Sequence, residues 1–239
     1  MRITRIRVLL FISSVLLALA GAIVWTAPDW LLDTMAKRYP GCLYRVATRE
    51  RIVAVTLDDG PDSVSTPVIL AELRKHGAGA TFFLISERMR GQEPLVRSIV
   101  ADGHELGNHF SHQGPSARLS AQEFEHDLLR AHRVLTQFSQ PAWARPASGW
   151  YTRSMVDAMT RHGYRCALGS VYPLDAAIPS VYWATHYILR NVRPGAIVIL
   201  HDGGSRGKRT AHVLAAVLPT LRKRGYRVVS LSELFWTVR

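Results

Sequence analysis

Ile52-Val53-Ala54-Val55-Thr56-Leu57-Asp58-Asp59-Gly60-Pro61-Asp62 is the stretch that decides the fold. Its first half is a short apolar run rich in β-branched residues, the pattern of a strand buried on both faces. Two carboxylates stand at its C-terminal end, and Gly60-Pro61 breaks the strand geometry behind them. Inside a regular strand neighbouring side chains point to opposite faces, which would drive one carboxylate into the core. At a strand end the turn lets both face one open mouth. Two like charges held close together are costly unless a cation neutralises them, and a metal is the obvious candidate. A solvated Asp-Asp-Gly turn is the plain alternative, and the rest of the chain weighs against it.

Outward from this strand the chain alternates. Segments 80–84, 105–107, 143–145, 165–168, 196–200 and 226–229 read as further strands. Helical patterns over 67–76, 94–102, 120–138, 154–162, 181–192 and 208–224 separate them, several stopped by a Gly. Ser120-Ala121-Gln122-Glu123 is a capping box. Seven strands alternating with helices predict a parallel sheet closed, or nearly closed, into a barrel, with an open doubly wound sheet as the alternative.

The 239 residues, 48% of them hydrophobic, suit one domain with a sizeable core and a short appendage. Arg2, Arg5 and Arg7 precede an uncharged stretch from Val8 to Thr26, long enough for a transmembrane helix. The Arg-rich flank predicts an N-terminus inside and the remaining chain outside, with Trp25 as an interfacial aromatic. A signal peptide cleaved after Ala18-Leu19-Ala20 is the competing reading, under which the protein is secreted. The domain plan is therefore an anchor over 1–27, a connector over 28–49 and a catalytic domain over 50–239. Of the net charge of +12, the chain beyond the first 26 residues keeps +9, much of it late in helices where cations suit the helix dipole. The excess also fits an anionic envelope surface; nucleic acid is not expected, since no recognition motif accompanies the charge. Cys42 and Cys166 can form one bridge or stay as two buried thiols.

In parallel β/α folds the chemistry collects at the C-terminal strand ends. There this chain puts Asp58 and Asp59, then His109 and His112, then Arg145, Asp175, and His201-Asp202. An Asp with two His is a common ligand set for a catalytic divalent metal. A second carboxylate can take a proton from water, an Arg can keep that base ionised, and a separate His such as His201 can protonate a leaving amine. This is a plan for hydrolysing an amide or an ester.

Thr56-Leu57-Asp58-Asp59-Gly60-Pro61, Gly103-His104-Glu105-Leu106-Gly107-Asn108-His109, Arg145-Pro146 and Leu200-His201-Asp202 resemble the ordered motifs of the polysaccharide deacetylases. These metal-dependent carbohydrate esterases include chitin, chitooligosaccharide and peptidoglycan N-deacetylases and some xylan O-deacetylases. The resemblance covers about residues 50 to 235 and implies a distorted (β/α)7 barrel, here preceded by the transmembrane helix. It implies Asp58 as general base and Asp59, His109 and His112 as ligands of a divalent metal, usually zinc. Arg145 would orient Asp58, His201 would be the general acid, and Asp175 would orient His201. Leu200 would wall the acetyl methyl, and the backbone N–H of Ser148 would serve the oxyanion. Trp150 and Tyr151, beside Arg145, are candidates to stack on sugar.

Three departures stand out. The family's metal histidines are four apart with a Pro behind them, whereas His109 and His112 are three apart and Gln113-Gly114 follow. Ligation by His112 then requires a helical loop, which the flanking motifs favour. Arg145-Pro146-Ala147-Ser148 replaces an Arg-Pro-Pro-Tyr pattern, and the motif after the fifth strand is weak. The expected activity is removal of acetyl groups from an N-acetylated glycan of chitooligosaccharide or peptidoglycan type outside the cytoplasmic membrane. An O-acetyl polysaccharide esterase on the same fold, or a glycan-binding protein on a degenerate barrel, is the alternative. His104 reads as structural, and Asp62 as either a cleft or a turn residue.

Overall fold

The computed structural model describes residues 40–237, residues 28–38, and Phe11, Ser13, Val15, Gly21, Trp25 and Thr26 ahead of them. Among these residues the strands are β1 Cys42–Leu43, β2 Ile52–Gly60, β3 Thr81–Leu84, β4 Glu105–Asn108, β5 Trp143–Ala144, β6 Arg165–Ala167, β7 Ile197–His201 and β8 Arg227–Val229. The helices are α1 Asp29–Arg38, α2 Ser65–Lys75, α3 Ser86–Met89, α4 Glu93–Ala101, α5 Ala121–Leu135, α6 Arg153–Arg161, α7 Val181–Asn191, α8 Gly204–Lys223 and α9 Leu231–Thr237.

All strand pairs are parallel, in the order β1-β6-β5-β4-β3-β2-β7, with β8 paired to the first residues of β2. The seven expected strands are β2 to β8, and β1 is an eighth. The ring closes between β6 and β7 by single contacts, not a ladder. Val171 bridges Val198, and Arg45, just past β1, bridges Ala196. Gly169 permits the approach. A Cβ there would lie 2.6 Å from Ile199 Cγ1 and 2.8 Å from the Ile197 carbonyl oxygen. The sheet is therefore a parallel α/β barrel with one loosely stitched seam.

Alternation along β2 sets the rest. Val53, Val55 and Leu57 belong to the core between sheet and helices, while Ile52 and Ala54 pack inside the barrel with Phe83, Trp143 and Ile197. Continuing that second face by twos, Thr56 and Asp58 point inward, and Asp58 arrives at the barrel mouth.

Cys42 lies opposite Cys166 in the β1–β6 pair and is disulfide-bonded to it, with a Cα–Cα distance of 4.6 Å. The transmembrane helix requires correction. Among the described residues no helix is long and apolar enough to cross a membrane. The longest, α8, carries Arg206, Lys208 and Arg209 early and Arg222 and Lys223 late. The uncharged span from Val8 to Thr26 falls mostly outside the described residues. Trp25, expected at a membrane interface, is half-buried on the protein itself, 4.7 Å from Trp183 between ring centroids.

The bridge closes a loop of sequence separation 124. Constraining the unfolded chain over such a span stabilises a fold by about 2–5 kcal/mol. Cys42→Ser/Cys166→Ser should lose that amount in urea unfolding, and reductant should destabilise the wild type equally. An unchanged midpoint would show that the seam does not depend on the bridge.

Candidate active site

Asp58 and Asp59 both line one open cleft of about 780 Å³ at the C-terminal strand ends. The strand runs through them to Gly60, with a register shift between Asp58 and Gly60. Asp59 adopts φ 73° at this irregularity. The extra residue turns a side chain that regular pleating would aim outward back to the mouth. The energetic problem seen in the sequence is solved by a bulge.

Each carboxylate has its own cation. Arg145, 2% exposed, places Nη1 2.5 Å from Asp58 Oδ1 and donates also to Thr56 Oγ1 and to the carbonyl oxygens of Ala167 and Leu168. Its guanidinium carbon lies 4.1 Å from the centre of the Phe83 ring. The fork thus fixes the Asp58 carboxylate against the barrel wall. Asp59 takes Arg206 Nη2 at 2.8 Å on Oδ2 and faces His109 Nε2 at 3.5 Å with Oδ1. Arg88 Nη1 donates to the Asp59 carbonyl oxygen at 2.5 Å. Burial alone would raise the Asp59 carboxyl, but the His109 hydrogen bond and the charges of His109, His201 and Arg206 hold it well below the usual carboxylate range.

His109 Nδ1 lies 2.7 Å from the Arg145 carbonyl oxygen, which can only accept, so this nitrogen carries the proton. Protonated, the ring donates from Nε2 to Asp59 Oδ1 and so holds that carboxyl down; neutral, it presents there a lone pair that a cation can take up instead. A buried imidazole oriented by a backbone carbonyl next to a carboxylate fits a divalent cation. The third expected donor does not join them. Residues 111–114 form bends, not a helical turn. His112 is 45% exposed at its side chain, with Nδ1 3.4 Å from Asp127 Oδ1, and no group of three potential ligands converges among the described residues. Gln113 stands in the cleft instead, four residues after His109, its Oε1 held 2.6 Å from Arg88 Nη2.

His201 lines the same cleft; its Nδ1 lies 2.9 Å from Asp175 Oδ1, and its backbone N–H donates to Asp175 Oδ2. Burial would lower the His201 pKa, yet the Asp175 hydrogen bond and the charges of Asp175, Asp58 and Asp59 raise it above the ordinary value. Tyr172, also in the cleft, is pushed up to about 12 by burial and by Asp175, Asp58 and Asp59.

The remaining candidates separate by strand parity and loop position. Leu200 faces the sheet–helix core with Leu57 and Val198, whereas its neighbour Ile199 shares the inward face of His201 and lines the cleft. Ser148 lines the cleft at φ 67°. Trp150 lines it while 73% exposed. Tyr151 stands behind the wall, its hydroxyl 2.7 Å from that of cleft-lining Tyr44. Asp62 shapes the turn, accepting from the N–H groups of Val64, Ser65 and Gly204. Asp202 is fully buried, hydrogen-bonded by Ser65 and Thr66, and pushed up to about 6 by burial. His104 is buried and lies 5.5 Å from the Phe82 ring, away from the cleft. Arg206, Arg88, Gln113, Ile199 and Tyr44 are participants that the sequence does not single out. Among them only the Gln113 spacing carries a signal.

The family model described as polysaccharide deacetylase matches residues 45–167. A peptidoglycan-N-acetylglucosamine deacetylase of Bacillus cereus is 36% identical over 194 residues, 80% of this chain and 91% of the relative. A chitooligosaccharide deacetylase of Bradyrhizobium sp. is 32% identical over 198 residues, 77% and 90% of the two chains. The solved structure of a family 4 acetyl xylan esterase from Clostridium thermocellum, in complex with a cobalt ion, superposes with a TM-score of 0.73 at 28% identity, covering 78% of this chain and 91% of that one.

Metal titration separates the donors. Asp59→Ala and His109→Ala should each lose affinity for zinc or cobalt by at least about 10-fold, the scale of a lost ligand or its support. His112→Ala should stay within a few-fold of wild type, and Gln113→His should bind more tightly. Equal losses in the two His→Ala variants would return His112 to the site.

Proposed function

The chain belongs to the polysaccharide deacetylase family, and we propose that it hydrolyses the acetamido group of N-acetylglucosamine units in a glycan of peptidoglycan or chitooligosaccharide type. The observation that carries this reading is the pairing of an Arg-held carboxylate with an Asp-held imidazole in one cleft. Asp58, fixed by Arg145 at 2.5 Å, accepts the proton of the attacking water. His201, with Nδ1 committed to Asp175, holds its second proton on Nε2 for the leaving amine. The C–N bond breaks, acetate departs, and the glucosamine nitrogen carries the proton from His201. Ile199 and Leu168 line the cleft as its apolar wall for the acetyl methyl, and the loop at Ser148 stands beside them to receive the oxyanion.

A divalent cation held by Asp59 and His109 would supply Lewis acidity to the water and to the amide oxygen. The donor chemistry of these two residues supports a metal, as does the cobalt ion in the xylan esterase. Zinc is the choice that imidazole with carboxylate favours among several acceptable ions. The site of action proposed is outside the cytoplasmic membrane, supported by the Cys42–Cys166 disulfide, since such bonds persist in oxidising compartments. A binding-only protein is the second reading, favoured by Gln113 in the cleft and by Arg206 on Asp59.

Acetate release from N-acetylglucosamine oligomers and from peptidoglycan should exceed release from acetylated xylan, and chelator should suppress it. Glycan binding without acetate release and without response to chelator would establish the second reading. Asp58→Asn should cost on the order of 10²-fold or more in kcat, as for a positioned general base. The charge of Asp175 raises the His201 pKa, so the protonated acid persists to higher pH in the wild type. Asp175→Asn should therefore move the basic limb of the kcat profile to lower pH. A limb that stays in place would remove His201 from the role of acid.

A further inference from the structure

The segment Trp25–Arg38 is tied to the barrel at its start and again midway, at Asp33. At its start, Trp25 packs on Trp183 and Tyr187, and Asn191 Nδ2 donates to the Trp25 carbonyl oxygen at 3.1 Å. Farther on, Asp33 Oδ1 lies 2.7 Å from Arg45 Nη2. Arg45 is also the residue that bridges Ala196 at the β6–β7 seam. Helix α1 runs past the second tie, along the seam. Leu32 faces a small cavity with Arg45, Ser170 and Ala196 on one side and the catalytic cleft on the other. Met35, one turn on at i+3, lines the cleft as well, together with Tyr44, Tyr172 and His201.

We infer that α1 is a substrate-contacting wall of the catalytic cleft, with Leu32 and Met35 as specificity-determining residues for a glycan longer than one sugar. The inference rests on the deacetylase reading above and names what that site holds beside the reacting unit. A pyranose presents apolar C–H faces between its hydroxyls, and two flexible aliphatic side chains at a cleft margin bury such a face without a fixed polar geometry. The cleft also offers Trp150 at 73% exposure. A chain of sugars thus meets an aliphatic wall contributed by α1 and an aromatic one contributed by the loop after β5. A single acetylated sugar at Asp58 and His201 does not need both. The docking also moves the working boundary of the catalytic unit upstream of residue 50.

The wall should affect binding of the oligomer more than turnover. In the full chain, Leu32→Ala/Met35→Ala should raise KM for the tetramer of N-acetylglucosamine on the order of 5- to 10-fold while kcat stays within about twofold. Trp30→Ala, on the same helix but 60% exposed and outside the cleft, should leave KM unchanged. Acetate release with an unchanged KM in the double variant overturns the wall and leaves the deacetylase reading intact. No acetate from the wild type on any N-acetylated glycan overturns that reading instead. Hydrogen exchange tests the docking without turnover: amides of residues 29–38 should be protected in the wild type and exposed by Asn191→Ala. Exchange at unstructured-chain rates in the wild type overturns the wall whatever the activity.

Discussion

A guanidinium buried at the centre of the barrel mouth is the constraint on which the site depends. Arg145 is 2% exposed and reaches four partners: the Asp58 carboxylate, the Thr56 hydroxyl and the carbonyl oxygens of Ala167 and Leu168. These belong to β2 and to the end of β6, on either side of the barrel interior. A charge so deep is tolerated only when paired and fully hydrogen-bonded, and removing one partner of such a pair costs about 3–5 kcal/mol. The arginine therefore sets the Asp58 carboxylate and the local shape of the barrel together. Its own carbonyl oxygen orients His109, so the two halves of the site share one residue.

Parity along the strands delivers the other groups to this centre. On β7, Ile197, Ile199 and His201 follow the inward face, and Val198 and Leu200 follow the outward one. On β2 the inward series ends at Asp58, and only the bulge with a left-handed Asp59 lets a consecutive residue join. Left-handed backbone at a non-glycine residue is uncommon, and Asp is among the residues that tolerate it best. The Asp pair is legible in sequence because two adjacent carboxylates ending a buried strand are costly without a cation or an open mouth to receive them. Its backbone solution is not legible, since nothing in the residue types distinguishes a bulge from a turn.

The same contrast separates what else was legible. Alternating strands and helices, and titratable residues after the strands, bring Asp58, Asp59, His109, Arg145, Asp175 and His201 to one end of the barrel, because most of them stand in or directly after a strand. Arg206 and Arg88 are hidden from such a reading, since an Arg on a helix suggests a solvated face until the fold turns it inward. Resemblance points to Leu200, although counting by twos from His201 selects Ile199. Trp25 is the clearest case of ambiguity. An aromatic at the end of an apolar run suits a membrane interface or a tertiary contact equally well, and its partners Trp183 and Tyr187 lie far away in sequence.

The distribution of positive charge explains how Asp59 stays paired although His112 lies on Asp127 instead. Two adjacent buried carboxylates need compensating charge, and this chain supplies a guanidinium to each: Arg145 to Asp58 and Arg206 to Asp59. Arg88 adds a third, directed to the Asp59 carbonyl and to Gln113. A cation entering beside His109 must share Asp59 with Arg206, whose contact is on Oδ2 and leaves Oδ1 facing the imidazole. The helix bearing Arg206 starts directly after His201-Asp202-Gly203, so the strand that carries the candidate acid also fixes the cation beside the candidate ligand. The placement of Arg206 at Asp59 and of His201 beside Asp175 is thereby set by one strand-to-helix turn, and a change in that turn would disturb both.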